Sequence, residues 1–469
     1  MIRAKQLIKP QRHFSTLLSK APETLHPSDL THPSINQEDE EGRLKLIQSL
    51  HDSQHPDKPS LYAHLIPNFS YYFKIPKSAI QDEILHRLIN VNPGRVHSTL
   101  ELYNLHRAEI QDYMVRDVLK KMASEEEQGE GQGLDSVIGI VREYEHLQLD
   151  EVLIELFYKF IDEGEYRLID ELINSGVFLG EILLGQLSGD LSSTPRKFAF
   201  LGVFHKLFNA NPEVINTGQY AVALNLLSFN NAELHEITTK TTQLSFTELT
   251  SEVLNHINTT ELDITPESVA LRQTIIEVYG ISQNDTDNAL KKYHYYESHA
   301  KADIDRVRFE MIKVFAYQAI KQDSAMWNQV AQTFIPAQFT IETLQVLIVL
   351  KSYFDVNEAM EIYNAYINEV GGNVNETTRR SAKGLLTESI ILGFLLNNDR
   401  EFASLIFEKA VESGIIADEL EIAHVKKMFK KYSDAFVENE EWEGHAQLKV
   451  KEVALEYLVN IGGMRVLSV

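Results

Sequence analysis

"AMEIYN", Ala359–Asn364, returns 44 residues later as "ASLIFE", Ala403–Glu408, and has a third version in "TLELYN", Thr99–Asn104. In each, a small residue stands first, an aliphatic fourth and an aromatic fifth. A separation of this size suits one pair of helices in a repeat array. A small residue on the second helix of a hairpin lets its partner helix approach closely. The aromatic then fills the groove to the neighbouring hairpin. The flanks correspond as well: "YINEVGG" follows one copy, "KAVESGI" follows the other, and "ELINSGV" at Glu171–Val177 echoes the latter. Glycine there supplies a left-handed residue that turns the chain back.

Helical periodicity extends outward from these copies. Val152, Leu153, Leu156, Phe157, Phe160 and Ile161 recur at i, i+3, i+4 spacing, and Gly164 interrupts. Leu168, Ile169, Leu172 and Ile173 form a second stripe closed by Gly176, so this stretch predicts a helical hairpin. Val356, Ala359, Met360, Tyr363, Tyr366, Ile367 and Val370 form another face, with Gly371 just beyond. Period-2 alternation is scarce. The expected fold is all-α, an α-solenoid of stacked helical hairpins with degenerate repeats, because one hairpin alone cannot bury both of its faces.

"LIFEKAVESGIIAD", Leu405–Asp418, resembles the second helix and exit turn of a pentatricopeptide repeat, and "VNEAMEIYNAYINEVGG", Val356–Gly372, is similar. The 44-residue spacing is longer than that family's repeat, and "IIAD" stands where its Pro-Asp exit is usual. No base-reading position is therefore carried over. Together with the acid-free first twenty residues, "MIRAKQLIKPQRHFSTLLSK", whose basic amphipathic character and "RHFS" stretch suit a mitochondrial import signal, the chain resembles the fungal mitochondrial helical-repeat proteins of organelle gene expression. The resemblance implies a PPR- or TPR-like solenoid and an RNA-linked role.

Composition sets limits. The chain has 469 residues, 44 basic against 68 acidic, a net charge of −24, and 43% hydrophobic residues. That is ample core material, so global disorder is excluded. It has no cysteine, which removes disulfides, thiolate metal sites and cysteine nucleophiles together. No run reaches the ~20 apolar residues of a membrane span. "LQVLIVL" at Leu344–Leu350 and "SIILGFLL" at Ser389–Leu396 are too short and predict buried core helices.

The first twenty residues, "MIRAKQLIKPQRHFSTLLSK", contain no acid. Such a segment suits a nucleic-acid arm, a membrane-surface helix or an import signal. Its amphipathic, Arg- and Ser-bearing character fits a mitochondrial transit peptide. "RHFS" resembles a matrix-peptidase site that cuts between Phe14 and Ser15. Loss of residues 1–14 lowers the basic count from 44 to 40 and makes the net charge −28. The expected organisation is a presequence at 1–14, a disordered linker at 15–60, N-terminal helical repeats at 61–200 and C-terminal repeats at 201–469.

Chemistry-bearing motifs are sparse. "GEGQG" at Gly129–Gly133 follows glutamates and lacks the Lys and Ser/Thr of a phosphate loop, so it reads as a linker. The seventeen histidines are scattered. No acid, base and nucleophile converge in the sequence, and neither an enzyme, a metal nor a cofactor is implied. The RNA-contact candidate is "KKYHYYESHAK", Lys291–Lys301, with Arg306 and Arg308. Lys291, Lys292 and Lys301 alternate with Tyr293, Tyr295 and Tyr296 as phosphate contacts and stacking platforms would. The same pattern also suits core tyrosines flanked by solvated lysines, since Asp285–Asp323 holds seven basic and seven acidic residues.

Three functional readings follow. The first is a mitochondrial-matrix adaptor acting on a mitochondrial RNA or the mitoribosome, in transcript stability, processing or translational activation. The second is an acidic protein-binding scaffold or assembly factor for a respiratory-chain or mitoribosomal complex, whose charge suits basic clients. A third is an accessory subunit of a large complex. Peripheral contact with the inner membrane is compatible with all three.

Overall fold

The computed structural model describes residues 132–147, 149–229, 232–336, 339–371, 380–437 and 443–462, with residues 20–26 and scattered positions from 29 to 119. The presequence with Phe14 and Ser15, the "TLELYN" copy apart from Tyr103, and most of the 15–60 linker lie outside the described residues. Within that linker a 3-10 turn, Pro22–Thr24, is ordered. Beside it Leu25 is buried, and Lys20 pairs with Asp29 at 3.0 Å.

Every regular element among the described residues is helical. The chain divides into two units between Leu179 and Gly180. Residue 200 lies within a helix, Thr194–Ala210.

The first unit contains α1 (Gln132–Glu143), α2 (Asp150–Glu163) and α3 (Tyr166–Ser175). The stripe Val152 to Ile161 on α2 is buried, as are Ile169, Leu172 and Ile173 on α3. Gly176 (φ 68°) adopts the left-handed conformation that the sequence pattern predicts at the end of α3, and Gly164 (φ 75°), which interrupts the pattern, does the same at the end of α2. "GEGQG" extends into structure here, because α1 already begins at Gln132.

The second unit runs from α4 to α18: α4 (Glu181–Gly189), α5 (Thr194–Ala210), α6 (Thr217–Ser228), α7 (Ala232–Thr242), α8 (Phe246–Thr260), α9 (Val269–Glu277), α10 (Thr286–His299), α11 (Ile304–Lys321), α12 (Ala325–Thr333), α13 (Ile341–Phe354), α14 (Val356–Tyr366), α15 (Ala382–Leu396), α16 (Arg400–Glu412), α17 (Glu419–Val437) and α18 (Glu443–Asn460). The hairpins α9–α10, α11–α12, α13–α14 and α15–α16 stack so that their first helices lie side by side in sequence order. Each second helix packs on its own first helix. This is an all-α solenoid.

The repeated hexamer does what its residue types require. Ala359 and Ala403 are fully buried where α14 and α16 lie on α13 and α15. The aromatic four positions later reaches the next hairpin. Tyr363 Oη meets Thr387 Oγ1 on α15 at 3.0 Å, and the Phe407 ring lies 5.9 Å from that of Phe429 on α17. The exits differ: Gly414 is left-handed at φ 70°, whereas Gly371 is not, and α14 already ends at Tyr366.

The inner helices α13 and α15 are mostly apolar, and Leu344–Leu350 and Ser389–Leu395 are buried throughout. A two-layer array would leave one of their sides open. Here α18 returns and packs on α11, α13 and α15. Its Tyr457 hydroxyl lies 3.2 Å from Gln345 Nε2 and 3.1 Å from Ser389 Oγ. The inner layer is therefore covered by the chain's own C-terminal helix.

Candidate functional site: basic surfaces and buried charge clusters

The segment 291–308 is mainly an anchor. Asp285 caps α10 by accepting from the Asn288 N–H. The helix then points Lys292 and Tyr296 at Asp263, a buried carboxylate in the 3-10 turn before α9. Lys292 Nζ and Tyr296 Oη each donate to Asp263 Oδ2 at 2.8 Å. Burial, then the Asp263 carboxylate, holds the Tyr296 hydroxyl well above the usual tyrosine range. Buried Arg272 braces the same turn, donating to the carbonyls of Asp263 and Thr265 and to Ser268 Oγ.

The rest of the candidate set divides by exposure. Tyr293 is buried and receives a 3.2 Å hydrogen bond from Arg308, which also pairs with Asp305. Tyr295 is half-buried, donates to Glu261 and stacks on His299 at 4.3 Å. Rings enclosed like Tyr293 and Tyr296 offer no free face for a base. The cations left at the surface are Lys291, Lys301 and Arg306. Lys291 lines a shallow cleft with Lys292, Tyr295, Asn258 and Tyr279.

A second basic surface was not picked out by sequence reasoning. On α17, Lys426, Lys427, Lys430 and Lys431 are exposed, while Val425, Met428 and Tyr432 bury the opposite side. Its signal in the sequence is a run without a single Asp or Glu, "IAHVKKMFKKYS" at Ile422–Ser433, in a chain with 68 acids.

Beside this face sits a buried carboxylate, Glu388 on α15. It forms an ion pair with Arg380, and His424 Nε2 lies 2.9 Å from its Oε1. Glu388 favours a charged His424, but Arg380 already neutralises that carboxylate. Burial first, then the cations Arg380, Lys427 and Lys431, push the imidazole down to about 4. It is neutral at physiological pH.

A third cluster joins α9, α11 and the end of α18. Lys313 is fully buried between Glu277 and Glu310, with 2.8 Å to Glu310, and Gln273 Nε2 donates to Glu310 at 2.9 Å. Burial raises the Glu310 carboxyl to about 8; Lys313 opposes the shift and Glu277 adds to it. Among the described residues no group of His, Asp and Glu is placed to hold a metal ion. No described helix is long and apolar enough to cross a membrane.

The fold and these sites define a helical-repeat protein of stacked hairpins with charged outer surfaces. Residues 364–461 match the model of the MRX12 C-terminal domain, and residues 267–340 match that of the MRX12 second TPR-like domain. MIOREX complex component 12 of Saccharomyces cerevisiae is 23% identical over 397 residues, covering 75% of this chain and 74% of that protein. These matches support the resemblance to a fungal mitochondrial helical-repeat family of gene expression.

Proposed function

We propose that this chain is a mitochondrial-matrix adaptor in organelle gene expression, acting on a mitochondrial mRNA or its translation, and not an enzyme. The observation that carries the reading is the pair of MRX12 domain matches on the stacked hairpins, together with the similarity to a yeast MIOREX complex component. A component of such a complex works by holding partners, and a solenoid offers side-chain surface along its whole length. The exposed cations Lys291, Lys301 and Arg306 are assigned to RNA within this reading, with Tyr295 beside them.

One observation favours the second reading, a scaffold or assembly factor for a respiratory-chain or mitoribosomal complex. Phe402, Leu405 and Val411 stand exposed on α16, as anchors for a protein client would.

Crosslinking and immunoprecipitation from mitochondria separates the two. The adaptor reading expects reproducibly enriched transcripts. A constant protein client with no enriched transcript establishes the scaffold instead.

A further inference from the structure

We propose that the lysine face of α17 is a surface that grips the phosphate backbone of single-stranded RNA, an inference that rests on the RNA-linked reading above. Four lysines stand within two turns of one helix. Lys426 and Lys430, and Lys427 and Lys431, are each four residues apart and so lie one turn above one another. Lys431 is paired with Glu456 at 2.5 Å. Among the described residues Lys426, Lys427 and Lys430 have no ion-pair partner.

Several other surface cations of the chain are matched by an acid on their own helix. Arg167 is matched by Glu171, Lys240 by Glu236 and Lys159 by Glu163, all at the i, i+4 spacing. On α17 the corresponding spacing places lysine over lysine, an arrangement that costs helix stability. A chain with a net charge of −24 that keeps such a cluster has a local positive field on an acidic body, the footprint expected for a polyanion.

The geometry favours RNA over a bilayer. A membrane-surface helix lays its apolar face among the acyl chains. The apolar face of α17, with Val425, Met428 and Tyr432, is already buried in the protein. Exposed Ala423, one turn before the lysines on the same face, is too small to insert as a wedge. Packing on the opposite side holds the cations in place.

The test is fluorescence anisotropy of a 5′-labelled mixed-sequence RNA oligonucleotide with the full chain across a series of salt concentrations. The variants are K426A/K427A/K430A and the charge-retaining K426R/K427R/K430R. Loss of three phosphate contacts is expected to weaken binding about a hundredfold at 0.1 M salt and to flatten the log–log salt slope by about 2. The arginine variant keeps both values. The alanine variant melts at or above the wild-type temperature, because repulsion is relieved. Unchanged affinity and slope in the alanine variant overturns this surface and leaves the proposed function standing. Absence of RNA binding by the wild type also overturns it, as does wild-type binding to phosphatidylserine vesicles alone. The adaptor reading then stands or falls on the crosslinking result.

Discussion

Lys313 Nζ on α11 donates a 2.9 Å hydrogen bond to the carbonyl of Ile461, 148 residues further along the chain. The same ammonium sits between two buried carboxylates, so it joins the inner layer, the helix before it and the returning C-terminal helix at one point. Removing it leaves Glu277 and Glu310 facing each other without a cation. Lys313→Met should cost about 3–5 kcal/mol of stability in urea denaturation.

The sign of its pH dependence is fixed by Glu310. A carboxyl raised from 4.5 to about 8 on folding binds more protons in the native state than in the unfolded state over that interval. Its contribution to stability is complete below about pH 4.5 and is lost as pH rises toward 8. Denaturation midpoints from pH 5 to 8 should fall in the wild type relative to Glu310→Gln.

His424 has the opposite sign. Its pKa drops from 6.5 to about 4 on folding, so the unfolded chain takes up the proton first as pH falls. Stability from this group is complete above pH 6.5 and is lost between 6.5 and 4. His424→Gln should flatten that limb. Glu388→Ala removes the carboxylate that holds Arg380 and should cost about 3–5 kcal/mol in the same measurement.

The packing rule of the repeated hexamer predicts that size, not polarity, is what positions 359 and 403 require. Ala359→Leu or Ala403→Leu should destabilise by about 1–3 kcal/mol through overpacking. Gly393→Ala should do likewise, since a methyl group there meets the Ser352 side chain of α13. Ala359→Ser at a matched position should cost less, as thermal melts would register.

Segment 291–308 should separate stability from binding. Tyr296→Phe removes a donor to buried Asp263 and should cost about 2 kcal/mol, with RNA affinity unchanged. Lys291→Ala/Lys301→Ala/Arg306→Ala should leave the melting temperature in place and weaken RNA binding in anisotropy titrations.

Several features were open to reading from sequence because they are local. The hairpin of α2 and α3 is specified by apolar stripes and two glycines within 27 residues, and Gly176 adopts the expected left-handed conformation. "LQVLIVL" and "SIILGFLL" are almost wholly apolar, and all but Leu396 is buried. What periodicity lacks is the identity of a distant partner. Lys292 and Tyr296 resemble an RNA platform until Asp263, 29 and 33 residues earlier, is seen to receive both. The lysines of α17 leave only a short acid-free run, which does not show that Val425, Met428 and Tyr432 are buried on the opposite side of the helix. The cover of α18 over the inner helices leaves no local trace at all.

That cover sets a schedule for synthesis. Helix α11 leaves the ribosome long before Ile461 exists. At the ~5–20 residues per second of translation, the 148 residues between Lys313 and Ile461 take roughly 7–30 s. For that interval a nascent chain holds an unsealed apolar layer and an ammonium awaiting its final acceptor. The inner layer can therefore close only once the last helix has been made.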